Sequence, residues 1–472
     1  MVLKIYNTLS RQKEEFKPLK EKEVSFYWCG PTVYSTQHIG NLRGAFLSDL
    51  IRRSLGYLGY EVNFVSNYTD VGHLTSDEDE GEDKMEKGAK EQGKSPEEIA
   101  NKFIKEYEED IKSLNIQSPT TKCRATDYIP EMIEMIQTLL DKNFAYITDL
   151  AIYFDVSKAK DYTKLSGQKT EDQIQGAGTG DVDDNQKKHP ADFALWFFKA
   201  GTHKNALQFW QSSFESPLVK NGEGFPGWHI ECSAMAKKHL GKTLDIHMGG
   251  VEHIPVHHTN EIAQSESAND TKFVNYWLHN EHLNIGNTKI SKSLGNVVFI
   301  SDIEKKGFNP LALRYLFLQA HYRSKQNFTW DSLESAQNGL NNLYKQIRNL
   351  RDAKGEISQE YKEKFIEKLL DDFNLPQALA TVQELLKSNI SNEDKLATIL
   401  DFDKILGLDL DKVEIKNNLE MKGYEILELK KKMDEARSLK KYDESDKYRK
   451  ELEDKYNIKV IQKDDGESEL VN

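Results

Sequence analysis

Two short motifs that lie far apart in the chain carry residues suited to binding phosphate. His38 to Asn41 read HIGN at the start of a helical stretch, and Lys289 to Ser293 read KISKS. A helix N-terminus offers unpaired backbone N–H groups to an anion, and two lysines add compact positive charges. Either motif alone is a weak match, because a loop histidine or a solvated turn explains it more simply. Together they indicate an ATP site.

Four other residues form a possible metal-binding set. Cys29 ends an apolar strand, Cys232 lies in GWHIECSAM, and His257 and Glu261 are four residues apart in a helical-looking run. That spacing places an imidazole and a carboxylate on one helix face, and zinc accepts sulfur, nitrogen and oxygen ligands. The alternative is two core cysteines plus an exposed helix pair, which the residue types alone favour. His258 points elsewhere on the helix, either behind a ligand or toward solvent.

The elements around HIGN predict a β-loop-α-β unit. The pattern indicates a strand from Val24 to Cys29, an amphipathic helix from about Leu42 to Leu58, and a second strand through Phe64. A right-handed crossover places a ligand at the carboxyl ends of such strands. No GxGxxG fingerprint is present, so a mononucleotide is favoured over a dinucleotide.

The composition predicts a cytoplasmic protein of two or three domains. The chain has 472 residues, of which 30% are charged and 38% hydrophobic. We expect neither secretion nor membrane insertion, because no apolar segment of the needed length occurs. Three cysteines do not make a disulfide framework. A net charge of −13 means that an RNA partner must be met by local basic patches.

Longer motifs in register carry a resemblance to a known family. YWCGPTVYSTQHIGN, PGWHIECSAM, DIHMGG, HHTNEIAQ, KISKSLGN and AHYRS, in this order, resemble the class I cysteinyl-tRNA synthetases over nearly the whole chain. The resemblance implies an α/β fold: a Rossmann-type parallel-sheet catalytic domain with a connective insertion, an α-helical stem bundle and a small helical anticodon-binding domain. It also implies one zinc ion per chain, ATP used with Mg²⁺, and L-cysteine and tRNA(Cys) as partners. We expect a monomer.

The resemblance assigns roles to residues. The implied zinc ligands are Cys29, Cys232, His257 and Glu261; the implied catalytic residues are His38, Asn41, Lys289 and Lys292. ATP contacts are implied for His38, Asn41, His247, Gly249, Gly250 and Lys292, and a cysteine pocket for Gly30, Thr69 and Trp228. An amino-acid carboxylate is already ionised at neutral pH, so its attack on the α-phosphate needs alignment rather than a general base. Zinc would separate cysteine from serine by binding sulfur.

The chain departs from the family pattern in several places. Asn41 stands where the family has a final histidine, so an amide must supply that donor. Met248 replaces a common glycine. A polar insertion from Gly72 to Ser95 contains the acidic run Asp77 to Asp83 and His73, to which no role is assigned. The usual C-terminal tryptophan is missing.

The positions of these motifs along the chain predict five segments. They are a first catalytic half at 1–120, the connective insertion at 121–226, a second catalytic half with the KISKS loop at 227–300, a stem bundle at 301–412 and an anticodon-binding tail at 413–472. In the tail, Ile415 to Tyr456 predicts two charged helices broken near Lys441 to Asp443. A structural hairpin is the simpler interpretation, and only the resemblance makes Arg437, Lys440, Lys441 and Arg449 candidates for tRNA contacts.

Two rival functions stay open at this point. A tRNA-independent cysteine ligase would use the same adenylate to acylate an amino sugar, but such chemistry needs no long helical tail. A non-catalytic RNA-binding relative would not need an intact KISKS motif and four intact ligand positions.

Overall fold

The computed structural model describes residues 2–71, 88–89, 92–168, 184–286, 288–289, 296–350, 355–413, 418–456, 458–462 and 468–471. The acidic run Asp77 to Asp83, His73 and Lys292 lie outside these ranges, as does the side chain of Lys289.

The described strands and helices follow one another along the chain. The strands are β1 Lys4–Asn7, β2 Gln12–Glu15, β3 Glu23–Trp28, β4 Glu61–Tyr68, β5 Thr121–Arg124, β6 Ala145–Ile147, β7 Ala151–Phe154, β8 Phe193–Phe198, β9 Trp210–Gln211, β10 Glu223–Pro226, β11 Leu244–Gly250, β12 Val274–Asn280, β13 Leu283–Ile285, β14 Thr288–Lys289, β15 Gln326–Phe328, β16 Lys459–Gln462 and β17 Ser468–Val471. The helices are α1 Ile39–Tyr57, α2 Pro96–Ser113, α3 Ile129–Asp141, α4 Trp228–Leu240, α5 His257–Asn269, α6 Ile300–Lys305, α7 Pro310–Leu318, α8 Trp330–Arg348, α9 Gln359–Leu370, α10 Leu375–Lys387, α11 Asn392–Leu406, α12 Asn418–Ser438 and α13 Tyr442–Tyr456.

A five-stranded parallel sheet in the order β12-β11-β3-β4-β5 forms the centre of the catalytic domain. Every residue of β11 is buried, as expected for a parallel strand covered on both faces. The predicted Rossmann-type architecture is therefore confirmed. Because β5 pairs with β4, the first catalytic half extends past the boundary predicted at residue 120.

Helix α1 begins three residues earlier than its apolar pattern predicted. Its first residue is Ile39, and His38 is the N-cap. The His38 side chain accepts hydrogen bonds from the backbone N–H groups of Gly40 and Asn41, which stabilises a first turn that contains a glycine. The cap therefore sets the start of the helix, whereas the apolar period is visible only further along.

The connective insertion forms a sheet of its own, and the stem packs against the catalytic domain. Strands β6 to β10 form a separate antiparallel sheet in the order β6-β7-β8-β10-β9. Apolar residues of the stem helices α8 to α11 are buried in one continuous core with those of α1. This shared core fixes the stem against the HIGN helix.

The tail contains the two predicted helices and a hairpin that was not predicted. Helices α12 and α13 are separated by residues 439–441, where Lys440 has a positive φ of 60°. The break therefore lies about two residues before the position predicted near Lys441 to Asp443. Strands β16 and β17 pair antiparallel and contribute Val460 to a small core with Met433 and Leu452. Among the described helices, none combines the length and apolarity needed to cross a membrane.

Candidate functional site

Four polar side chains from three separate segments meet near the carboxyl edge of the parallel sheet. Cys29 follows β3, Cys232 lies on α4, and His257 and Glu261 lie on the first turns of α5; one ligand atom from each lies within 4.8 Å of all the others. The two Sγ atoms are 3.8 Å apart. His257 and Glu261 are 1% and 0% exposed, so the alternative of an exposed helix pair is wrong.

Buried hydrogen bonds between α4 and α5 hold this geometry. The Gln264 side chain donates to the backbone carbonyl of His229 and to Ser233 Oγ, at 2.6 and 2.7 Å. Ser265 Oγ donates to Ser233 Oγ at 2.8 Å. Satisfied polar contacts inside a core fix one relative placement of two helices. They fix the distance from Cys232 to the α5 pair.

The residues fit a metal ion. Nε2 of His257 lies 3.0 Å from Oε1 of Glu261 without the alignment of a hydrogen bond, and the ring also interacts with the Cys232 thiol. A buried ring nitrogen normally has a partner. An ion held by the two sulfur atoms, the imidazole and the carboxylate would supply it, so this cluster can hold a metal.

The charges of the cluster also suit a cation. Burial raises the pKa of the Cys29 thiol well above its usual range. The hydrogen bond that Cys29 donates lowers the pKa of Cys232 to about 6. Burial opposes ionisation of Glu261, but the imidazoles of His247 and His257 hold its pKa at about 2. Burial likewise lowers the pKa of His257, and the Glu261 carboxylate outweighs it and raises that pKa to about 10. Near neutral pH the Glu261 carboxylate and the Cys232 thiol favour their charged forms and His257 holds a proton, which a bound cation would replace.

A second possible ligand set shares two members with the first. Cys29, His247, His258 and Glu261 also bring one ligand atom each within 4.8 Å of the others. In this set His247 Nε2 is hydrogen-bonded to Glu261 Oε2 at 3.0 Å, and His258 Nδ1 is bonded to His279 Nε2 at 2.7 Å. Each set contains a ring nitrogen without an aligned hydrogen bond among the described residues, Nε2 of His257 in the first and Nδ1 of His247 in the second, but three members of the first set line the cavity described next, against one member of the second. The first set is the better metal site.

One cavity of about 150 Å³ joins the metal cluster to the HIGN helix. Cys29, Cys232 and His257 line one side of it, and Gly40 and Asn41 line another. A small molecule in this cavity touches both features at once. The candidate metal ligands and the first turn of the HIGN helix therefore line one cavity.

The first turn of α1 differs from the prediction of free backbone N–H groups. Ile39 N–H donates to Val298 O at 2.9 Å, and the N–H groups of Gly40 and Asn41 donate to His38 Nδ1 at 3.1 and 3.2 Å. Leu42 N–H donates to His38 O. Because Nδ1 accepts, these hydrogen bonds assign the ring proton of His38 to Nε2. At this turn the exposed Asn41 lines the cavity, and the His38 ring carries its proton on Nε2.

The residues of the expected cysteine pocket all line the cavity. Gly30 is packed so closely that a Cβ would lie 1.8 Å from the backbone oxygen of Asn67. Thr69 Oγ1 donates to Glu231 Oε2 at 3.0 Å. The Trp228 ring stacks on the ring of His257 with centroids 4.1 Å apart. These three residues therefore lie beside the candidate metal ligands.

Of the three residues of β11 expected to contact ATP, one lines the cavity and two do not. Gly250 lines the cavity. Gly249 packs against His253 and His258 with no room for a Cβ. His247 is fully buried, is bonded to Glu261 and stacks on Trp277 at 4.7 Å, so its side chain supports the carboxylate instead of facing a nucleotide. Alternation along β11 determines which face of the sheet His247 lies on, but only the packing of α5 on that face shows that its partner is Glu261.

The expected tRNA contacts of the tail fall into two groups. Lys440 and Lys441 are exposed at the turn between α12 and α13, and Arg437 is half-buried one turn earlier. Arg449 donates from its guanidinium to Val460 O at 2.7 Å, so it ties α13 to the hairpin.

Several site residues were missed by reasoning from sequence. Asn67 Oδ1 accepts from Gly30 N–H at 3.0 Å and lies 3.9 Å from Cys232 Sγ. Its signal was present, because Asn67 and Thr69 are two apart on a strand and share a face. His258 Nε2 lies 3.5 Å from Cys29 Sγ, so this histidine is a buried neighbour of a ligand; nothing in its spacing indicates that.

Comparisons with known proteins agree with this geometry. Residues 15–338 match the family described as tRNA synthetases class I (C) catalytic domain. The chain is 42% identical to a cysteine–tRNA ligase of Treponema denticola, over 96% of each chain. It is 44% identical to cysteine–tRNA ligase 1 of Burkholderia lata, over 87% of this chain and 85% of that one. It is 41% identical to a cysteine–tRNA ligase of Caldicellulosiruptor saccharolyticus, over 95% and 96%.

Solved structures share the fold at low identity. The methionyl-tRNA synthetase of Mycobacterium tuberculosis in complex with methionyl-adenylate superposes with a TM-score of 0.57 at 12% identity, covering 83% of this chain and 93% of that one. A LeuRS in a ternary complex from Agrobacterium radiobacter K84 also gives 0.57, at 10% identity, covering 84% and 85%.

Proposed function

The chain belongs to the class I cysteine–tRNA ligase family, and from this premise we propose that it activates L-cysteine with ATP and transfers it to tRNA(Cys). The observation that carries this function is the single cavity lined by both the metal cluster and the HIGN helix. Activation brings an amino acid and a nucleotide together, so the group that selects the amino acid must lie beside the group that binds phosphate.

Four residues are proposed to hold zinc: Cys29, Cys232, His257 and Glu261. When bound there, zinc would accept the sulfur of cysteine far more readily than the hydroxyl of serine, which is the chemistry that separates the two. The protein contributes to this selection by holding the four ligand side chains in fixed positions and away from bulk water, since all four residues are buried. A site built on one substrate-specific bond rejects an analogue by roughly 10⁴-fold without editing.

The groups around the ATP phosphates are proposed to align the reaction. His38 Nε2–H and the Asn41 amide donate to the phosphates at the first turn of α1, where the helix dipole favours negative charge. Lys292, with Lys289, is proposed to neutralise charge as the bond to the α-phosphate changes, and Mg²⁺ accompanies ATP. The substrate carboxylate is already ionised, so no residue is assigned as a base.

Arg437, Lys440 and Lys441 are proposed to contact tRNA, whereas Arg449 stabilises the tail through its bond to Val460. A monomeric state and a cytoplasmic location stay predictions from sequence.

The test is cysteine-dependent ATP–pyrophosphate exchange, measured for each of the common amino acids, with zinc quantified on the same sample. We expect exchange with cysteine alone and about one zinc per chain. Serine is the matched control, since it differs from cysteine by one atom. Exchange with another amino acid, or full cysteine exchange in zinc-free protein, would contradict the proposal.

A further inference from the structure

Arg43 is a fully buried arginine one turn into the HIGN helix. Its guanidinium donates to Gln326 Oε1 at 3.0 Å, to the carbonyls of His321 and Ser324 at 3.4 and 3.2 Å, and to the carbonyl of Glu281. Among the described residues its acceptors are thus carbonyl and amide oxygens. A buried cation is costly, and an apolar side chain would pack there at less cost. The presence of a buried guanidinium at this position therefore indicates that its hydrogen bonds, which connect α1 to residues 281 and 321–326, are needed.

Asp372 holds the same segment from the opposite side. This residue is fully buried in the turn between α9 and α10 of the stem, where its backbone has a positive φ of 61°. Its carboxylate accepts from Tyr322 Oη at 2.7 Å and from the guanidinium of Arg323 at 2.6 and 2.8 Å. Its backbone carbonyl pairs with His321 Nε2 at 2.9 Å. Residues 321–324, most of the AHYRS motif, are therefore gripped between α1 and the stem.

The contacts of residues 321–324 continue, through Gln326, into the small sheet β14-β13-β15, whose strand β14 enters the KISKS motif. Gln326, the acceptor for Arg43, begins β15, which pairs parallel with β13, and β13 pairs with β14. Asn296 Nδ2 donates to Thr288 Oγ1 at 3.0 Å, which joins the chain before and after the KISKS residues. The segment that follows is bonded to α1, through Ile39 N–H and Val298 O. Helix α1 is thus connected to the residues on both sides of the KISKS motif, Thr288 before it and 296–298 after it, which we call the roots of the KISKS stretch.

We propose that Arg43 and Asp372 clamp residues 321–324 from two sides, and that this clamp is a positioning device that sets the roots of the KISKS stretch against the first turn of α1. Arg43 is then a positioning residue for cysteine activation, although it does not line the cavity. The inference rests on the proposed function, because it assigns the KISKS lysines to ATP. A misplacement of about 1 Å in such groups costs on the order of 100-fold in rate.

The test uses the full chain with Arg43→Gln, Tyr322→Phe and the double variant. For each we would measure kcat, the KM for ATP and the KM for cysteine in pyrophosphate exchange, together with Tm and zinc content. Arg43→Gln is expected to lower kcat by about tenfold or more and to raise the KM for ATP, with the KM for cysteine and the zinc content unchanged. Tyr322→Phe removes one hydrogen bond and should give a smaller change of the same kind.

Arg314→Gln is the matched control. Arg314 is also fully buried and also donates to backbone carbonyls, those of Leu406 and Leu114, but it does not contact 321–326. Unlike Arg43, it also pairs with a carboxylate, that of Asp49 on α1, at 3.4 Å, and this pair is lost in the control variant. We expect this variant to lower Tm while leaving kcat and both KM values unchanged well below its Tm. The double variant should be no slower than Arg43→Gln, because the two residues act on one segment in series.

Three results would overturn the clamp: kinetics of Arg43→Gln that match those of Arg314→Gln, a KM for cysteine that rises as much as the KM for ATP, or effects of Arg43→Gln and Tyr322→Phe that multiply independently. If Arg43→Gln does not fold, Tyr322→Phe carries the test alone, and unchanged kinetics in it would count against the clamp. Failure of the proposed function is distinguishable, since the wild-type protein would then show no cysteine-dependent exchange.

Discussion

Adding a single methyl group at Gly30 tests whether the end of β3 must approach the end of β4. A Cβ at this position would lie 1.8 Å from the backbone oxygen of Asn67, whereas ordinary contact begins at 3.4 Å. The two strand ends must therefore separate by about 1.6 Å, the difference between those distances. Because the obstacle is backbone, no side-chain rotation relieves it. Cys29 precedes Gly30 and would move with it.

The expected result of Gly30→Ala is a loss of about 100-fold in kcat/KM for cysteine, since a misplacement of about 1 Å costs this much. That loss corresponds to roughly 2.7 kcal/mol of transition-state stabilisation. The assay is pyrophosphate exchange with cysteine varied, together with zinc content. We expect zinc binding to weaken as well, because one of the proposed ligands moves away from the others.

Gly56→Ala is the matched control, because Gly56 lies on exposed α1 surface and a Cβ there meets nothing within 4 Å. It should keep full activity and be at least as stable as the wild type, since alanine loses less backbone freedom than glycine in a helix and Gly56 lies in its last turn. Wild-type exchange and full zinc content in Gly30→Ala would refute the reasoning, since the close approach would then not be needed to build the site.

Other changes separate the parts of the site. Cys232→Ala should reduce bound zinc well below one per chain and abolish cysteine-dependent exchange, as checked by metal analysis of the purified variant. Removing residues 414–472 should preserve exchange and abolish most tRNA charging, because the tail has its own small core; loss of exchange would contradict this. Lys440→Ala and Lys441→Ala should each raise the KM for tRNA a few-fold and leave exchange unchanged, as lost phosphate contacts do. Arg449→Ala should instead lower the thermal stability of the tail, because its hydrogen bond to the hairpin is lost; an unchanged melting curve would argue against that role.

Local patterns in the sequence predicted the elements that carry the site. The strand before HIGN, the helix after it and the i, i+4 pair of His257 and Glu261 each follow from a periodicity that one segment contains. The pairing of Cys29 with Cys232 does not, because 203 residues separate them and their contact depends on how α4 packs under the sheet. For that step the resemblance to a family was needed.

The residues that sequence reasoning missed or misplaced act through partners on other elements. His247 was expected at the nucleotide and instead bonds Glu261, since α5 covers that face of β11. His258 touches a ligand only because β3 and α5 meet there. Arg43 looks like one more polar residue of an amphipathic helix, and its burial depends on the stem that closes over it. The first turn of α1 was expected to offer free N–H groups, but His38 and Val298 already accept them.

X-ray absorption at the zinc edge tests the central claim most directly. With Cys29, Cys232, His257 and Glu261 as ligands, the spectrum should show two sulfur atoms at about 2.3 Å and nitrogen or oxygen at about 2.0–2.2 Å. Added L-cysteine should raise the sulfur count, and L-serine should leave it unchanged. A spectrum with one sulfur would place the ion in the set that contains His247 and His258. Absence of stoichiometric zinc, or a sulfur shell that cysteine does not alter, would contradict the account.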